Sequence, residues 1–292
     1  MMYTLRGILA LLVYVFNTLF WFVPIILGAV LKLIPIKVWR VWLSRFLDMC
    51  ATAWISVNYL IQRAFTRTKV VVHGLEQLSR KDWYLVIANH QSWVDILVLQ
   101  RIFNRKIPFL KFFLKKELIY VPVMGLAWWA LDFPFMQRYK KAFLEKNPHL
   151  KGKDLETTRK ACEKFRHMPV SVMNFVEGTR FTRNKHARQQ SQFTHLLKPK
   201  AGGIAFVLSS MGEQLHKLLD VTIAYPHGIP NFWDFICGKV KQVNVDVRVL
   251  PIDKNLLGNY FEDALQRERF QLWLNQLWLE KDNKLKSLTV LD

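Results

Sequence analysis

The chain begins with a long uncharged stretch, the 25 residues from Gly7 to Leu31. About 20 predominantly apolar residues are enough for a helix to cross the hydrocarbon core of a bilayer. A signal peptide is the competing interpretation, because Arg6 precedes the stretch, but no clear small-x-small cleavage pattern follows it before Lys32. We therefore predict an N-terminal helical membrane anchor, which Pro24 and Gly28 can kink or break.

A second apolar stretch runs from Phe46 to Ile61, with Asp48 as its one charged residue. The connection between the two stretches combines basic and tryptophan side chains, namely Lys32, Lys37, Trp39, Arg40, Trp42 and Arg45. Such side chains suit the headgroup layer, and their positive charge favours the cytoplasmic side of a membrane. We expect membrane-anchoring helices in residues 1–65 and one folded domain in residues 66–292.

Charge and cysteine usage narrow the class of partner. Lys and Arg outnumber Asp and Glu by 42 to 22, which gives a formal net charge of +20 and suits an anionic partner. The basic residues are spread out and form no motif that reads nucleic acid, so we expect anionic membrane lipids and no nucleic acid. Cys50, Cys162 and Cys237 form no C-x-x-C motif, which fits structural thiols in a reducing compartment.

The most informative motif follows an apolar run, Tyr84–Ala88, that is typical of a buried strand. His90 comes directly after this strand, and Ser92 can cap a helix that begins with Trp93. Asp95 would then lie in the first turn, where its carboxylate can fix the tautomer of His90 and leave the other ring nitrogen as a base. The alternative is structural, because Ser92 and Asp95 are also spaced as a capping pair.

A second motif follows another strand-like run, Val170–Met173. Ligand sites in open α/β sheets collect at such strand ends. Gly178 lets the backbone turn, Thr179 supplies a hydroxyl, and Arg180 supplies a planar fork suited to phosphate. Glu177 can hold that arginine or brace the loop. Taken alone, the segment favours a strand-ending turn that carries a surface Glu/Arg pair.

Together, H-x-x-x-x-D followed by F-x-E-G-T-R resembles the paired signature of the glycerolipid acyltransferase family, which includes the lysophosphatidic acid acyltransferases. Two weaker blocks, Phe135–Arg138 and Val221–Pro226, follow the family order, so the resemblance covers about residues 72–226. Several phrases are most similar to the bacterial YihG-type branch. One departure is Val176, where the family usually has proline before the glutamate.

The resemblance implies an α/β fold with a mixed, twisted sheet flanked by helices. It implies transfer of a fatty acyl group from acyl-CoA or acyl-carrier protein to the free hydroxyl of lysophosphatidic acid or a related lysophospholipid, with the donor as co-substrate and no cofactor. We expect a bacterial inner-membrane enzyme whose catalytic domain faces the cytoplasm. The family also offers an anchor that inserts into one leaflet without crossing, and the sequence does not separate this geometry from a span.

The resemblance also assigns roles to residues. His90 would be the general base and Asp95 its orienting partner. The residues expected to bind the acceptor are Arg138, Glu177, Gly178, Thr179, Arg180 and Lys200. The alternative function is that of a non-catalytic phospholipid-binding membrane protein on the same fold, but the intact pair of His90 and Asp95 favours an enzyme. The sequence shows no G-x-S-x-G elbow, P-loop or G-x-G-x-x-G motif.

Alternating strand and helix signals independently indicate an α/β domain. We expect strands at Thr66–His73 and near residues 219–225 and 243–250, helices at 154–167 and 204–208, and a solvated loop at 183–191. The apolar stretch Val121–Trp129 is expected in the core, with an acyl-chain tunnel or bilayer contact as the alternative. A last amphipathic helix should pack on the domain through the stripe Phe270, Trp273, Leu274, Leu277 and Trp278.

Overall fold

The structure, a computed structural model, describes residues 1–136, 168–212, 214–258 and 260–290. The helices are α1 (Met2–Leu31), α2 (Lys37–Ile61), α3 (Val94–Phe103), α4 (Met124–Ala130), α5 (Arg183–Gln189), α6 (Ala201–Met211), α7 (Phe232–Ile236) and α8 (Ala264–Thr289). The strands are β1 (Lys69–His73), β2 (Tyr84–Ala88), β3 (Leu110–Phe112), β4 (Leu114–Lys115), β5 (Phe135–Met136), β6 (Ser171–Phe175), β7 (Lys217–Ala224) and β8 (Gln242–Pro251). A π-helical turn, Gln62–Thr66, extends α2, and 3-10 helices lie at Lys116–Tyr120 and Lys254–Leu257.

Six strands form one sheet in the order β1-β8-β7-β2-β6-β3. Every neighbouring pair is parallel except β7 and β8, which are antiparallel. The sheet is therefore mixed, as predicted. All five residues of β2 are buried, because the strand lies inside the sheet and helices cover both faces.

The two faces of the sheet carry separate apolar clusters. Tyr84, Val86 and Ala88 of β2 face the cluster that contains α3 and the inner sides of α1 and α2. Leu85 and Ile87 face the opposite cluster, which α6 and α8 complete. This alternation follows from the two-residue period of a strand, and it makes a three-layer α/β domain.

The two N-terminal helices form an antiparallel pair joined by residues 32–36. α1 continues through Pro24 and Gly28 without a break, and α2 begins at Lys37, earlier than the apolar stretch indicated. In the described part of the chain, α1 is the one helix long and apolar enough to cross a membrane. The boundary predicted between residues 65 and 66 falls inside the π-helical turn that extends α2.

Both ends of α1 contact the rest of the protein. Near its beginning, Gly7 lies against the buried thiol of Cys237, so closely that a β-carbon at Gly7 would be 2.4 Å from that sulfur. At its end, Lys32 pairs with Asp132. The helix therefore lies along the domain and buries one side there, including Gly7, Ala10 and Ile25, whereas most of its large apolar side chains remain exposed.

The later elements agree with most expectations. β7 and β8 are the two predicted late strands, and α8 packs on the domain through buried Phe270, Leu274, Leu277 and Trp278, as predicted. The first strand begins at Lys69 and not at Thr66, because the π-helical turn occupies the preceding residues. The helix predicted over residues 154–167 lies outside the described residues.

The structure corrects two predictions, one about a loop and one about the core. The solvated loop predicted over residues 183–191 is wrong, because α5 occupies most of it. The side-chain oxygen of Thr182 accepts a hydrogen bond from Lys185 N and so caps this helix. The apolar stretch Val121–Trp129 is only partly core, since Ala127 is buried but Leu126 and Trp129 remain exposed.

Candidate active site

Side-chain hydrogen bonds from Asn89 and Ser92 hold the turn that follows β2. Asn89 bonds both the backbone carbonyl and the backbone N–H of Ile223, at 2.9 Å each, and so ties the end of β2 to β7. The hydroxyl of Ser92 donates to Pro230 O and accepts from Val94 N, 2.6 and 3.1 Å away. α3 therefore begins at Val94, one residue later than predicted. These bonds fix the backbone that carries His90.

His90 and Asp95 lie in direct contact. The distance from His90 Nδ1 to Asp95 Oδ2 is 2.9 Å. The same oxygen accepts hydrogen bonds from Gln91 N and Ser92 N, at 2.7 and 2.9 Å. The predicted helix cap takes a different form, because the N-cap of α3 is Trp93 and has no side-chain cap, and the fully buried Asp95 carboxylate instead holds the turn before the helix while it contacts the imidazole.

The other oxygen of Asp95 accepts a hydrogen bond from the hydroxyl of Tyr225. Burial, and then the negative charge of Asp95, raise the pKa of Tyr225 well above its usual value of 10. The sequence prediction did not include Tyr225, although it lies in the late strand block Val221–Pro226. The sequence feature that could have indicated Tyr225 is a phenol at the end of a predicted strand. The structure places this strand beside β2.

The side chain of Glu177 connects the second motif to the first. It is fully buried, and its two oxygens accept hydrogen bonds from His90 N and Leu197 N, at 2.8 and 2.9 Å. Burial raises the pKa of Glu177 to about 8, although both hydrogen bonds oppose this shift. Of the two roles expected for Glu177, the geometry favours bracing the loop over holding Arg180.

Further contacts hold the motifs against each other. The His90 ring stacks on Phe175, with centroids 3.9 Å apart and planes 14° apart. Phe181 N donates to His90 O, 2.7 Å away. Between these residues, Gly178 adopts a positive φ of 68° and donates its N–H to Phe175 O, which closes the turn.

Two cationic side chains, those of Arg180 and Lys185, lie next to this turn. The guanidinium carbon of Arg180 lies 4.7 Å above the ring of Trp93. Lys185 Nζ bonds the hydroxyl of Thr179 at 2.7 Å and the carbonyl of Arg180 at 3.0 Å. Stacking on Trp93 removes part of the flexibility of the Arg180 guanidinium.

A cleft of about 300 Å³ joins these groups. Its polar lining includes His90, Asn174, Thr179, Arg180 and Lys115, and its apolar lining consists mainly of Trp93, Phe112, Phe113, Leu114, Met173 and Phe175. Asn174 was not predicted as a site residue. Its signal was a polar residue within an otherwise apolar strand. The cleft thus places an imidazole, cations and an apolar wall in one space.

The structure brings together five of the predicted site residues: His90, Asp95, Gly178, Thr179 and Arg180. Glu177 lies behind them as a brace. Lys200 is exposed at the beginning of α6, where its backbone N–H donates to Val176 O at 2.9 Å. Arg138 lies outside the described residues, so its role stays a prediction.

Comparison with known proteins gives three findings. A 1-acyl-sn-glycerophosphate acyltransferase from Thermotoga maritima, PlsC, shares the fold with a TM-score of 0.55 at 17% identity, over 97% of this chain and 98% of that one. Mouse lysocardiolipin acyltransferase 1 is 26% identical over 280 residues, which are 89% of this chain and 68% of the relative. Bovine 1-acyl-sn-glycerol-3-phosphate acyltransferase delta is 25% identical over 215 residues, 69% of this chain and about half, 52%, of its own length.

The family model described as Acyltransferase matches residues 69–226. This range is more than half of the chain, and it contains both motifs and the strands that carry them. The prediction that the protein is an acyltransferase enzyme is thereby confirmed, and the chain belongs to the acyltransferase family.

Proposed function

We propose that this acyltransferase moves a fatty acyl group from a thioester donor to the free hydroxyl of lysophosphatidic acid or a related lysophospholipid. The names of the relatives, which include a lysocardiolipin and a 1-acyl-sn-glycerol-3-phosphate acyltransferase, support this acceptor class. The observation that carries the proposal is the contact of His90 with Asp95 in a cleft that Arg180 also lines.

In the proposed reaction, His90 accepts the proton of the acceptor hydroxyl on Nε2, because Nδ1 is held by Asp95. The acceptor oxygen attacks the thioester carbon, the carbon–sulfur bond breaks, and the imidazolium returns its proton to the leaving thiolate. Asp95 stabilises the imidazolium between these steps. General-base help of this kind contributes about 100- to 10,000-fold, and the positioning of both substrates supplies much of the remainder.

We assign the acceptor phosphate to Arg180, with Thr179 beside it. A guanidinium binds phosphate through two parallel hydrogen bonds, which suits a headgroup that must be oriented as well as held. Glu177 and Gly178 shape the turn that presents Arg180. Arg138 and Lys200 retain the acceptor-binding roles that the family resemblance implies, as part of the proposal.

The donor is acyl-CoA or acyl-carrier protein. Both donors are acidic, and the net charge of +20 attracts either one. The acyl thioester itself supplies the reactive group, so we include no cofactor. Placement in the YihG-type bacterial branch rests on sequence phrases such as Asn174–Gly178, and it belongs to this proposal.

We further propose that the protein resides at the bacterial inner membrane, with its catalytic domain on the cytoplasmic face. The exposed apolar side of α1 and the basic residues after it support contact with anionic lipid. Because both ends of α1 contact the domain, through Gly7 and Lys32, insertion of the helix pair into one leaflet is favoured over a crossing.

The test is an acyl-transfer assay with purified protein in lipid, against a panel of lysolipids and both donors. We expect His90→Ala to lose the general-base contribution, about 100-fold or more. The matched control is His73→Ala, which removes an exposed histidine at the end of β1 and should keep full activity.

Full activity of the His90→Ala protein would contradict the mechanism. The alternative, a non-catalytic phospholipid-binding protein, makes a different prediction. It requires that the unaltered protein binds lysolipid vesicles and transfers no acyl group from either donor.

A further inference from the structure

We propose that Tyr225 is a positioning residue of the catalytic pair, whose hydroxyl fixes the Asp95 carboxylate against the His90 ring and shares the charge that this carboxylate presents to the ring. The inference deepens the proposed function, because it rests on His90 as the general base. Neither the two sequence motifs nor the assigned site residues include Tyr225.

The two carboxylate oxygens of Asp95 have different hydrogen-bond partners. Oδ2 receives the His90 ring and the N–H groups of Gln91 and Ser92. Oδ1 receives the hydroxyl of Tyr225. A carboxylate held on both oxygens cannot rotate about its Cβ–Cγ bond, so Oδ2 remains in line with Nδ1 of His90.

The fold makes this contact durable. Tyr225 follows the last residue of β7, which neighbours β2, and the side chain of Asn89 ties the two strand ends together. Only 4% of Tyr225 is exposed, so water hardly competes for its hydroxyl. Because the pKa of Tyr225 lies well above 10, the phenol remains a hydrogen-bond donor wherever a histidine titrates.

The sign of the effect follows from the sharing of charge. A hydroxyl that donates to Asp95 withdraws part of the negative charge that would otherwise stabilise the imidazolium of His90. Without the hydroxyl, Oδ1 loses its donor and more of that charge acts on the ring. The protonated, inactive form of His90 would then persist to higher pH.

Other charged and titratable groups face the same histidine. Glu177 lies beneath its backbone N–H, and Arg180 and Lys115 line the cleft in front of it. None of these side chains bonds the hydroxyl of Tyr225 in the described part of the chain. Replacing Tyr225 by phenylalanine therefore leaves them in place and isolates the contact with Asp95.

The decisive variant is Tyr225→Phe, which removes one oxygen. We expect kcat to fall about tenfold, the effect of one lost hydrogen bond. The acid limb of the pH–rate profile should move to higher pH, and KM for both substrates should not change. The matched control is Tyr84→Phe at the opposite end of β2. The Tyr84 hydroxyl is also bonded to a carboxylate, that of Asp82, 3.2 Å away.

A second measurement does not depend on turnover or on how much of the variant folds. In protein with labelled histidine, NMR titration of His90 should give a higher pKa in Tyr225→Phe than in the unaltered chain. Replacing the eight tyrosines with 3-fluorotyrosine strengthens the phenol as a donor and should lower that pKa.

The outcomes separate this inference from the proposed function. If the unaltered protein transfers no acyl group, the proposed function fails, and the NMR titration still tests the coupling. The inference is overturned if the titration of His90 is the same in Tyr225→Phe, or if Tyr84→Phe shifts it equally. It is also overturned if Tyr225→Phe lowers activity while the acid limb stays in place, since that result shows that the hydroxyl has no effect on the protonation of His90.

Discussion

At the residue scale, Arg180 is a flexible cation that is partly ordered before the proposed phosphate binds. An exposed arginine normally loses much side-chain freedom when it binds a ligand. Here its guanidinium already rests on the face of Trp93, and its carbonyl is held by Lys185. Part of the ordering therefore precedes binding, which is how preorganisation increases affinity.

Removal of this guanidinium should act on the acceptor. We expect Arg180→Ala to raise the KM for the lysophospholipid by about 10- to 100-fold, from the loss of charge-assisted hydrogen bonds worth about 1.5–3 kcal/mol. The KM for the donor should change little. Arg180→Lys should recover only part of the affinity, because an ammonium lacks the planar fork. Steady-state kinetics with each substrate varied in turn would measure both effects.

The control is Arg183→Ala, an exposed arginine three residues further along, in the first turn of α5. It removes the same charge from the same surface. Equal changes in acceptor KM for both variants would show a general electrostatic effect and would exclude a specific phosphate contact by Arg180.

The predicted contact between His90 and Asp95 is local in the chain, whereas Glu177 accepts its hydrogen bond from His90 N across 87 residues. His90 and Asp95 are five residues apart, so one turn and one helix start determine their contact. Tyr225 reaches Asp95 from 130 residues away, and its contact depends on β7 lying beside β2. Strand order of this kind is a tertiary property that no local pattern carries.

At the scale of elements, β6 and α6 meet where Asn174 lies beside Gly203. Asn174 is only 8% exposed, yet its side chain makes no hydrogen bond within the described residues, and it lines the cleft. A β-carbon at Gly203 would be 2.5 Å from Asn174 Nδ2. Because Gly203 has no side chain, the Asn174 amide has room to occupy this position.

The neighbouring glycines of α6 provide a matched pair of variants. In Gly203→Ala, the Asn174 amide must move, and because it is the end of a side chain we expect the fold to survive and kcat/KM to fall. In Gly202→Ala, the new methyl group meets nothing within 4 Å, so activity should persist and stability should rise by up to about 1 kcal/mol. Thermal unfolding and acyl-transfer kinetics would check both. Identical kinetics in the two variants would show that the position of Asn174 does not matter.

Strands were easier to predict than the elements between them. A buried strand such as β2 consists of a continuous apolar run, whose length and β-branched content are visible in the sequence. α5 has no buried residue and so no apolar periodicity to detect. Its contacts are the Thr182 cap and the bond of Lys185 to Thr179, and the second of these depends on the turn that follows β6.

At the scale of the whole molecule, the relation between the anchor and the domain is the feature that the sequence left open. A long apolar run has the same composition whether its helix crosses a bilayer or lies along a protein surface. The distinction depends on small residues of α1, since Gly7, Ala10 and Gly28 allow close approach while the opposite side of the helix stays apolar and exposed.

The geometry of α1 leads to a topological prediction. Its 30 residues make a helix about 45 Å long, enough to separate its ends by a membrane. Yet residues near both ends contact one domain, at Cys237 and at Asp132. If these contacts persist on lipid, the two ends lie on the same side of the bilayer. The helix pair then occupies one leaflet, with its exposed apolar side chains toward the acyl chains.

Cysteine labelling in oriented membrane vesicles would test this arrangement. With Cys162 replaced by serine, and the buried Cys50 and Cys237 left in place, one cysteine is added at a time: at Tyr3 or Leu33 to mark the two ends of α1, or at the exposed Glu268 to mark the domain. We expect a membrane-impermeant maleimide to label all three from the same side, because the contacts of α1 hold its ends at the domain surface. Labelling of Tyr3→Cys from the side opposite to Glu268→Cys would require a crossing helix. The contact of Gly7 with Cys237 would then be broken in the membrane.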